Sequence, residues 1–184
     1  MSLPNLITIG RILLVPLTIW LIVSGEYLLA FLAFIIAGIS DGVDGFIAKR
    51  YDLKTQLGAY LDPLADKLLL VSIYVSLGLL HVMPAWLVIL VASRDVLIIG
   101  AVILSYVLDK PVKMQPLFVS KANTTAQIVF AGVVLLFLAL HSDMAWLLLA
   151  GSLAVAALTI ASGSLYMREW ARHMTNGVSE KEGS

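Results

Sequence analysis

Four aspartates stand at helical spacing in a chain that is otherwise strongly apolar. Asp41 and Asp44 are three residues apart, and Asp62 and Asp66 are four apart, so each pair lies on one face of a helix. Four carboxylates that converge in a low-dielectric site repel one another and take up protons unless cations neutralise them. Hard divalent cations prefer oxygen ligands, and we therefore expect Mg2+ or Mn2+ to bind these aspartates.

The composition excludes several other classes of protein. Of the 184 residues, 60% are hydrophobic and 13% are charged, and the formal net charge is zero. The mean hydropathy of +0.98 is typical of a protein whose solvent is a lipid bilayer. A neutral chain offers no basic surface, so we expect no nucleic-acid partner. The absence of cysteine excludes a disulfide framework and a thiolate metal site.

Apolar runs long enough to cross a bilayer, about 20 residues, recur six times. They fall near residues 8–24, 28–48, 56–80, 84–107, 119–140 and 144–166. The first, third and fifth connections between them lack Lys and Arg, whereas the second, the fourth and the C-terminal tail carry them. The positive-inside rule then places both termini in the cytoplasm. We predict an all-α polytopic membrane protein with six transmembrane helices.

No linker, repeat or separate soluble module divides the chain. We therefore predict one membrane domain, residues 1–176, and a flexible C-terminal tail, residues 177–184. The start lacks the basic region and the cleavage site of an export signal, so we expect the first apolar run to be retained. Pro16 and Pro63 fall inside helical patterns and are expected to bend or locally unwind their helices.

Further ionisable residues lie inside the predicted spans. Lys67 follows Asp66 in the third span, Arg94 and Asp95 lie in the fourth, and Lys121 is near the start of the fifth. An ionisable group in a span costs at least about 2.5 kcal/mol, so it normally faces an internal cavity and marks function. Two alternatives remain open: a single buried aspartate can serve a structural ion pair, and Arg94 and Asp95 could simply balance each other's charge.

A longer pattern surrounds the four aspartates. The segment from Asp41 to Asp66 reads DGVDGFIAKRYDLKTQLGAYLDPLAD and keeps Gly45, Ala48 and Gly58 in register with them. It resembles the signature of the CDP-alcohol phosphatidyltransferases, D-x2-D-G-x2-A-R-x8-G-x3-D-x3-D. Taken without this resemblance, the two glycines could equally be small-residue contacts between membrane helices.

One position departs from the signature. Where the family has arginine, this chain has Lys49, followed by Arg50. Lysine lacks the planar two-pronged fork of arginine, so either Lys49 holds the nucleotide phosphate less rigidly or Arg50 substitutes for it.

The resemblance extends over nearly the whole chain. The opening PNLITIGRILLVPL, which contains Arg11, and the later segments LDPLADKLLLVSIYVSLGLL, SRDVLII and LFVSKANTTAQ are similar to the cardiolipin synthase branch of this family. Phosphatidylglycerophosphate synthases usually have K-x-K-T where this chain has lysine, alanine, Asn123 and Thr124. A second lysine would suit the dianionic phosphate of glycerol 3-phosphate, whereas Asn123 suits an acceptor that is already a phosphodiester.

The resemblance implies a mechanism and a set of site residues. Two divalent ions would bind the four aspartates and the CDP pyrophosphate, with Asp66 also acting as the general base. The nucleotide would lie against Asp44, Gly45, Ala48, Lys49 and Gly58. The acceptor phosphate would be held by Arg94, Lys121, Asn123, Thr124 and Arg11.

The expected reaction joins CDP-diacylglycerol and phosphatidylglycerol to give cardiolipin and CMP. The resemblance also implies a homodimer, and we expect the bacterial inner membrane, with the active site facing the cytoplasm. One alternative is a phosphatidylglycerophosphate synthase, which uses glycerol 3-phosphate as the acceptor. Two others are a small cation or proton transporter that uses the aspartates as a relay, and a noncatalytic scaffold.

Overall fold

The computed structural model describes residues 3–50, 56–107, 118–143 and 145–179, and all regular structure in these ranges is helical. The side chains of residues 3–9, 41–50, 56–66, 106 and 174–179 lie outside this description. The helices are α1 Leu3–Val23, α2 Tyr27–Arg50, α3 Gln56–Leu79, α4 Ala85–Val107, α5 Phe118–Ala139 and α6 Ala145–Ser179. Each predicted apolar run therefore forms one helix, and the all-α class is confirmed.

The helices differ in how much of their length is apolar. Within the described residues, Ala85–Ser105, Phe118–Ala139 and Ala145–His173 are long and apolar enough to cross a membrane. The apolar parts of α1, α2 and α3 are shorter, Gly10–Val23, Tyr27–Ser40 and Lys67–Leu79. These apolar helices indicate a membrane protein. That all six cross the bilayer, and that both termini are cytoplasmic, stay predictions.

Three short connections join the helices into the hairpins α1–α2, α3–α4 and α5–α6. The second residue of each connection is in the left-handed conformation: φ is 78° at Gly25, 59° at His81 and 51° at His141. The N–H of Gly25 donates to the carbonyl of Ile22 at 3.1 Å, and matching bonds follow α3 and α5. A left-handed residue of this kind caps the preceding helix and reverses the chain. Only glycine adopts it without a steric cost.

The core is shared by all six helices. α1 packs against α2 and α3, α2 against α5, α3 against α4 and α5, and α6 against α4 and α5. Large apolar side chains fill the centre, including the fully buried Ile22, Ile73, Leu77, Leu87 and Leu135. Others face outward, among them Leu13, Ile89, Ile103, Trp146 and Leu149, each more than half exposed. So much exposed apolar surface fits a lipid surrounding better than water.

Two features of the helices differ from the sequence-based expectation. α1 and α3 run through Pro16 and Pro63 without a break, so the structure shows no local unwinding at either proline, and the alternative, a bend of the helix, stays a prediction. α6 continues to Ser179, well beyond the apolar run and into the first residues of the predicted tail. Trp170 explains part of this extension: its indole Nε1 donates to the Ala101 carbonyl at 3.1 Å and thereby docks α6 on α4. Residues 180–184 lie outside the described residues.

Candidate active site

A cavity of about 580 Å³ lies between α1, α2, α3 and α5. Most of its wall is apolar. Its lining residues are Arg11, Phe34, Ile35, Ala37, Gly38, Ile39, Lys67, Leu69, Leu70, Thr124 and Ile128. Several of the apolar ones, Ile35, Ile39 and Ile128, are between 39% and 62% exposed, so this wall of the cavity reaches the outer surface of the bundle. An amphiphile could therefore enter from the lipid.

The cavity adjoins the aspartate signature on both helices that carry it. On α2, Ala37 lines the cavity and Asp41 follows one helical turn later, about 6 Å further along the axis. On α3, Leu70 lines the cavity and Asp66 precedes it by the same spacing. Both pairs of aspartates thus continue the helix faces that form the cavity wall. This position is what a site requires if it joins a lipid pocket to a polar reaction centre.

The side chains of Asp41, Asp44, Asp62 and Asp66 lie outside the described residues, so their ligand geometry stays a prediction. Among the side chains that are described, no group of three or more His, Cys, Asp or Glu could hold a metal ion. The donor set itself suits a hard divalent cation, because carboxylate oxygens are the ligands that Mg2+ and Mn2+ prefer. The chemistry of these residues therefore fits the expected metal. The nucleotide-binding residues Gly45, Ala48, Lys49 and Gly58 likewise have only their helical positions described.

Three polar residues interrupt the apolar lining of the cavity. Arg11 on α1 is 2% exposed, Thr124 on α5 is partly buried, and the side chain of Lys67 on α3 is 33% exposed. The structure thus places two predicted acceptor-binding residues, Arg11 and Thr124, in the lining of the same cavity. Sequence reasoning gave Lys67 no role, although its position directly after Asp66 in the signature segment was a usable signal.

Lys67 belongs to a chain of charged hydrogen bonds that crosses the bundle. Its Nζ donates to both carboxylate oxygens of Asp95 on α4, each at 2.7 Å. Arg94 Nη1 donates to Asp95 Oδ1 at 2.7 Å, and Arg94 Nη2 donates to the hydroxyls of Ser120 on α5 and Ser162 on α6, both at 2.6 Å. Arg94 and Asp95 therefore do pair, as one sequence interpretation expected. The pair also fixes a third charge, Lys67, which that interpretation did not include.

This network is largely withdrawn from solvent. Arg94 is 6% exposed and Asp95 is 7% exposed, and the guanidinium carbon of Arg94 lies 5.8 Å from the centre of the Tyr166 ring. At that distance a cation gains a favourable interaction with the aromatic face. The one carboxylate serves two cations, so the cluster of Lys67, Arg94 and Asp95 carries a net charge of +1. Removing one member of a buried ion pair costs about 3–5 kcal/mol because its partner stays buried.

The other predicted acceptor residues are placed elsewhere. Asn123 is fully buried, and its Oδ1 accepts a hydrogen bond from Thr159 Oγ1 at 3.0 Å. Gln127 Nε2 also donates to Thr159, at 3.4 Å, which makes a polar contact between α5 and α6. Lys121 is exposed on α5. The structure therefore brings Arg11 and Thr124 together at the cavity but does not bring Arg94, Asn123 or Lys121 into its lining.

The fold and the site define a class of protein: a helical membrane bundle whose largely apolar cavity is lined by the cationic side chains of Arg11 and Lys67 and adjoins the helical segments that carry the four aspartates. The sequence narrows this class, because residues 1–161 match the CDP-alcohol phosphatidyltransferase family. The chain belongs to this family, which confirms the prediction from the aspartate signature. Members of the family generally use a divalent metal ion.

Similar proteins are named either as cardiolipin synthases or as CDP-diacylglycerol–glycerol-3-phosphate 3-phosphatidyltransferases. The chain is 35% identical over 149 residues to a probable cardiolipin synthase (CMP-forming) of Drosophila melanogaster, covering 72% of this chain and 46% of the relative. It is 34% identical over 144 residues to the cardiolipin synthase (CMP-forming) of Homo sapiens, covering 70% and 48%. It is 35% identical over 153 residues to CDP-diacylglycerol–glycerol-3-phosphate 3-phosphatidyltransferase 1, chloroplastic, of Oryza sativa, covering 74% and 46%.

These relatives are named as enzymes of the class expected from the signature. The chain spans about half the length of the curated relatives it matches. Their names do not agree on the acceptor, which is the hydroxyl compound that receives the phosphatidyl group.

Proposed function

We propose that this protein transfers the phosphatidyl group of CDP-diacylglycerol to phosphatidylglycerol, giving cardiolipin and CMP. The observation that carries the proposal is the cavity beside the signature, which is apolar except at Arg11, Lys67 and Thr124. Phosphatidylglycerol would rest its acyl chains on the apolar wall and its phosphodiester near the cations. Glycerol 3-phosphate has no apolar part, and such a wall would give it little binding energy.

In the proposed reaction, the acceptor hydroxyl oxygen bonds to the phosphorus that carries diacylglycerol. The bond from this phosphorus to the bridging oxygen of the diphosphate breaks, and CMP departs with the electron pair. Asp66 would accept the hydroxyl proton, a role in which a carboxylate typically contributes about 10²–10⁴-fold. Atoms and charge balance without a further reactant.

The nucleotide is proposed to lie between α2 and α3. Gly45 and Gly58 would allow its close approach to the backbone because they lack a side chain. Ala48 and Lys49 would complete this surface, and Arg50 stays the alternative partner for the phosphate. Asp44 is proposed to contact both the nucleotide and a metal.

Asp41, Asp44, Asp62 and Asp66 are proposed to hold two divalent ions. When bound, Mg2+ or Mn2+ would neutralise the diphosphate and stabilise the charge on departing CMP. The chain's own contribution is to hold the four carboxylates on two helices, next to the cavity that receives the acceptor.

The reaction is proposed to occur on the side of the membrane that holds the Lys- and Arg-rich connections, which is the cytoplasmic face in a bacterial inner membrane. A homodimer is also proposed, from family membership alone.

A second candidate is phosphatidylglycerophosphate synthesis with glycerol 3-phosphate as the acceptor. It is supported by the rice relative and by the CDP-diacylglycerol–glycerol-3-phosphate 3-phosphatidyltransferase of Bacillus subtilis, to which the chain is 36% identical over 114 residues.

The test is product analysis of the purified full chain given CDP-diacylglycerol, Mg2+ or Mn2+, and one acceptor at a time. We expect cardiolipin and CMP from phosphatidylglycerol, and loss of both when the metal is chelated. Phosphatidylglycerophosphate from glycerol 3-phosphate, with no cardiolipin, would establish the second candidate instead. No CMP release with either acceptor, together with ion uptake into vesicles that contain the protein, would refute phosphatidyl transfer and favour transport.

A further inference from the structure

Lys67 is placed to meet an anionic ligand in the cavity. It lines the cavity together with Arg11, and its side chain is 33% exposed. An ammonium group has three N–H donors. Two of the hydrogen bonds from Nζ go to Asp95, so among the described residues the third donor has no partner and can meet a group that enters the cavity.

Arg94 is placed differently, although it too is a cation in the same network. Its Nη1 is bonded to Asp95, and its Nη2 is bonded to Ser120 and Ser162. It does not line the cavity. Arg94 is only 6% exposed, so a phosphate could reach it only by entering a buried cluster that is held by short, charge-assisted hydrogen bonds.

The charge of the cluster also favours Lys67 over Arg94 as the residue that contacts an anionic ligand. One carboxylate, Asp95, lies between two cations, and the excess charge of +1 is buried on the Arg94 side and accessible on the Lys67 side. A partly desolvated excess charge is stabilised when an anion binds beside it.

We infer that Lys67 binds the phosphate of a lipid substrate in this cavity, and that Asp95 and Arg94 are positioning residues that hold its ammonium in place. The inference rests on the proposed function. The phosphate could be the phosphodiester of phosphatidylglycerol or the diphosphate of CDP-diacylglycerol, which share this chemistry. Arg94 would then act on this phosphate through Asp95 and Lys67 rather than by direct contact.

The experiment is a steady-state analysis of the full chain in which each lipid is varied in turn. Lys67→Met keeps an unbranched side chain of similar length, and Lys67→Arg keeps the charge. A hydrogen bond to a charged group corresponds to roughly a tenfold to hundredfold change in affinity. We expect Lys67→Met to raise the KM of one lipid by that factor, with a much smaller effect on kcat, and Lys67→Arg to recover most of the loss. The lipid whose KM rises identifies the source of the phosphate.

Asp95→Asn should raise the KM of the same lipid, and it should have little further effect in the Lys67→Met background. Arg168→Ala, which removes an exposed cation from α6, serves as the charge-loss control. If Lys67→Met fails to fold, Lys67→Gln provides the same comparison.

Two failures can be told apart. A wild-type protein that releases no CMP would refute the proposed function. An active wild type with unchanged KM values in the Lys67 variants would refute this inference alone, as would a loss of thermal stability in Asp95→Asn without a change in KM.

Discussion

The contact between α5 and α6 depends on a glycine whose replacement should be costly. Gly151 on α6 faces the ring of Phe130 on α5, and a methyl group built on Gly151 would overlap the ring atoms Cε2 and Cδ2. Phe130 is only 6% exposed and belongs to the core. Because protein interiors are close-packed, the ring has no adjacent space into which it can move freely.

The expected magnitude is the balance of two opposing effects. Adding a methyl group to a packed interior costs about 1–3 kcal/mol. Replacing glycine by alanine inside a helix gains about 0.5–1 kcal/mol. Gly151→Ala should therefore lower the free energy of unfolding by up to roughly 2.5 kcal/mol. Gly100→Ala on α4 is the matched control, because nothing lies within 4 Å of its added methyl group, and it should show the gain alone.

Both variants can be compared with the wild type by unfolding them in detergent micelles, with circular dichroism as the readout. We expect the free energy of unfolding to fall in Gly151→Ala and to rise in Gly100→Ala, although both variants add the same methyl group. A Gly151→Ala protein as stable as Gly100→Ala would show that the Phe130 ring adjusts without cost, and would refute the close α5–α6 packing described here. Because Thr124 and Ile128 of α5 line the cavity, a destabilised α5 should also reduce CMP release at temperatures near the transition.

Three further predictions concern the buried network, the chemistry and the helix caps. Ser162→Ala removes a hydrogen-bond acceptor of Arg94 at 2.6 Å and should lower the free energy of unfolding by about 1.5–3 kcal/mol. Ser164→Ala, on the exposed side of the same helix, is the control and should have almost no effect. Equal stabilities of the two variants in the same unfolding assay would contradict the network. Asp66→Asn should reduce CMP release at least about 10²-fold. Asp143→Asn, in the exposed α5–α6 connection, is the control and should retain activity. A fully active Asp66→Asn protein would eliminate this residue as the base. His81→Gly removes the steric cost of a left-handed residue, φ 59°, and should raise the free energy of unfolding by up to about 1 kcal/mol. A variant less stable than the wild type in the unfolding assay would mean that the imidazole itself makes a stabilising contact.

The helices were largely predictable because each corresponds to one apolar run. The predicted third span, 56–80, and the observed α3, Gln56–Leu79, differ by one residue. The end of α6 was not predictable in this way, since hydropathy falls after Tyr166 but the helix continues. Its continuation depends on the contact of Trp170 with α4, which links residues far apart in sequence.

Local spacing predicted that each aspartate pair lies on a helix, and α2 and α3 do run through these positions, whereas contacts that depend on packing between helices were not predictable. The aspartate pairs follow from positions three and four residues apart on single helices. The ion pair of Lys67 with Asp95 depends on which faces of α3 and α4 meet, and no local spacing encodes that. For the same reason Asn123, which takes the second lysine position of K-x-K-T next to Thr124, and Arg94, which the resemblance assigned to the same acceptor site, lie in polar contacts between helices and not in the cavity lining.

The apolar lengths of the helices suggest why the buried network lies where it does. α4, α5 and α6 are each apolar enough to cross a membrane, whereas α1, α2 and α3 are apolar over only part of their length. The signature lies on α2 and α3. The polar parts of these helices are stabilised by packing and hydrogen bonds to other helices of the bundle. The network provides a link at that depth, because Lys67 comes from α3, while Arg94 and Asp95 come from α4, Ser120 from α5 and Ser162 from α6. A polar network inside a membrane bundle is costly to leave half satisfied, and here it joins α4, α5 and α6 to α3, a helix that carries part of the aspartate signature.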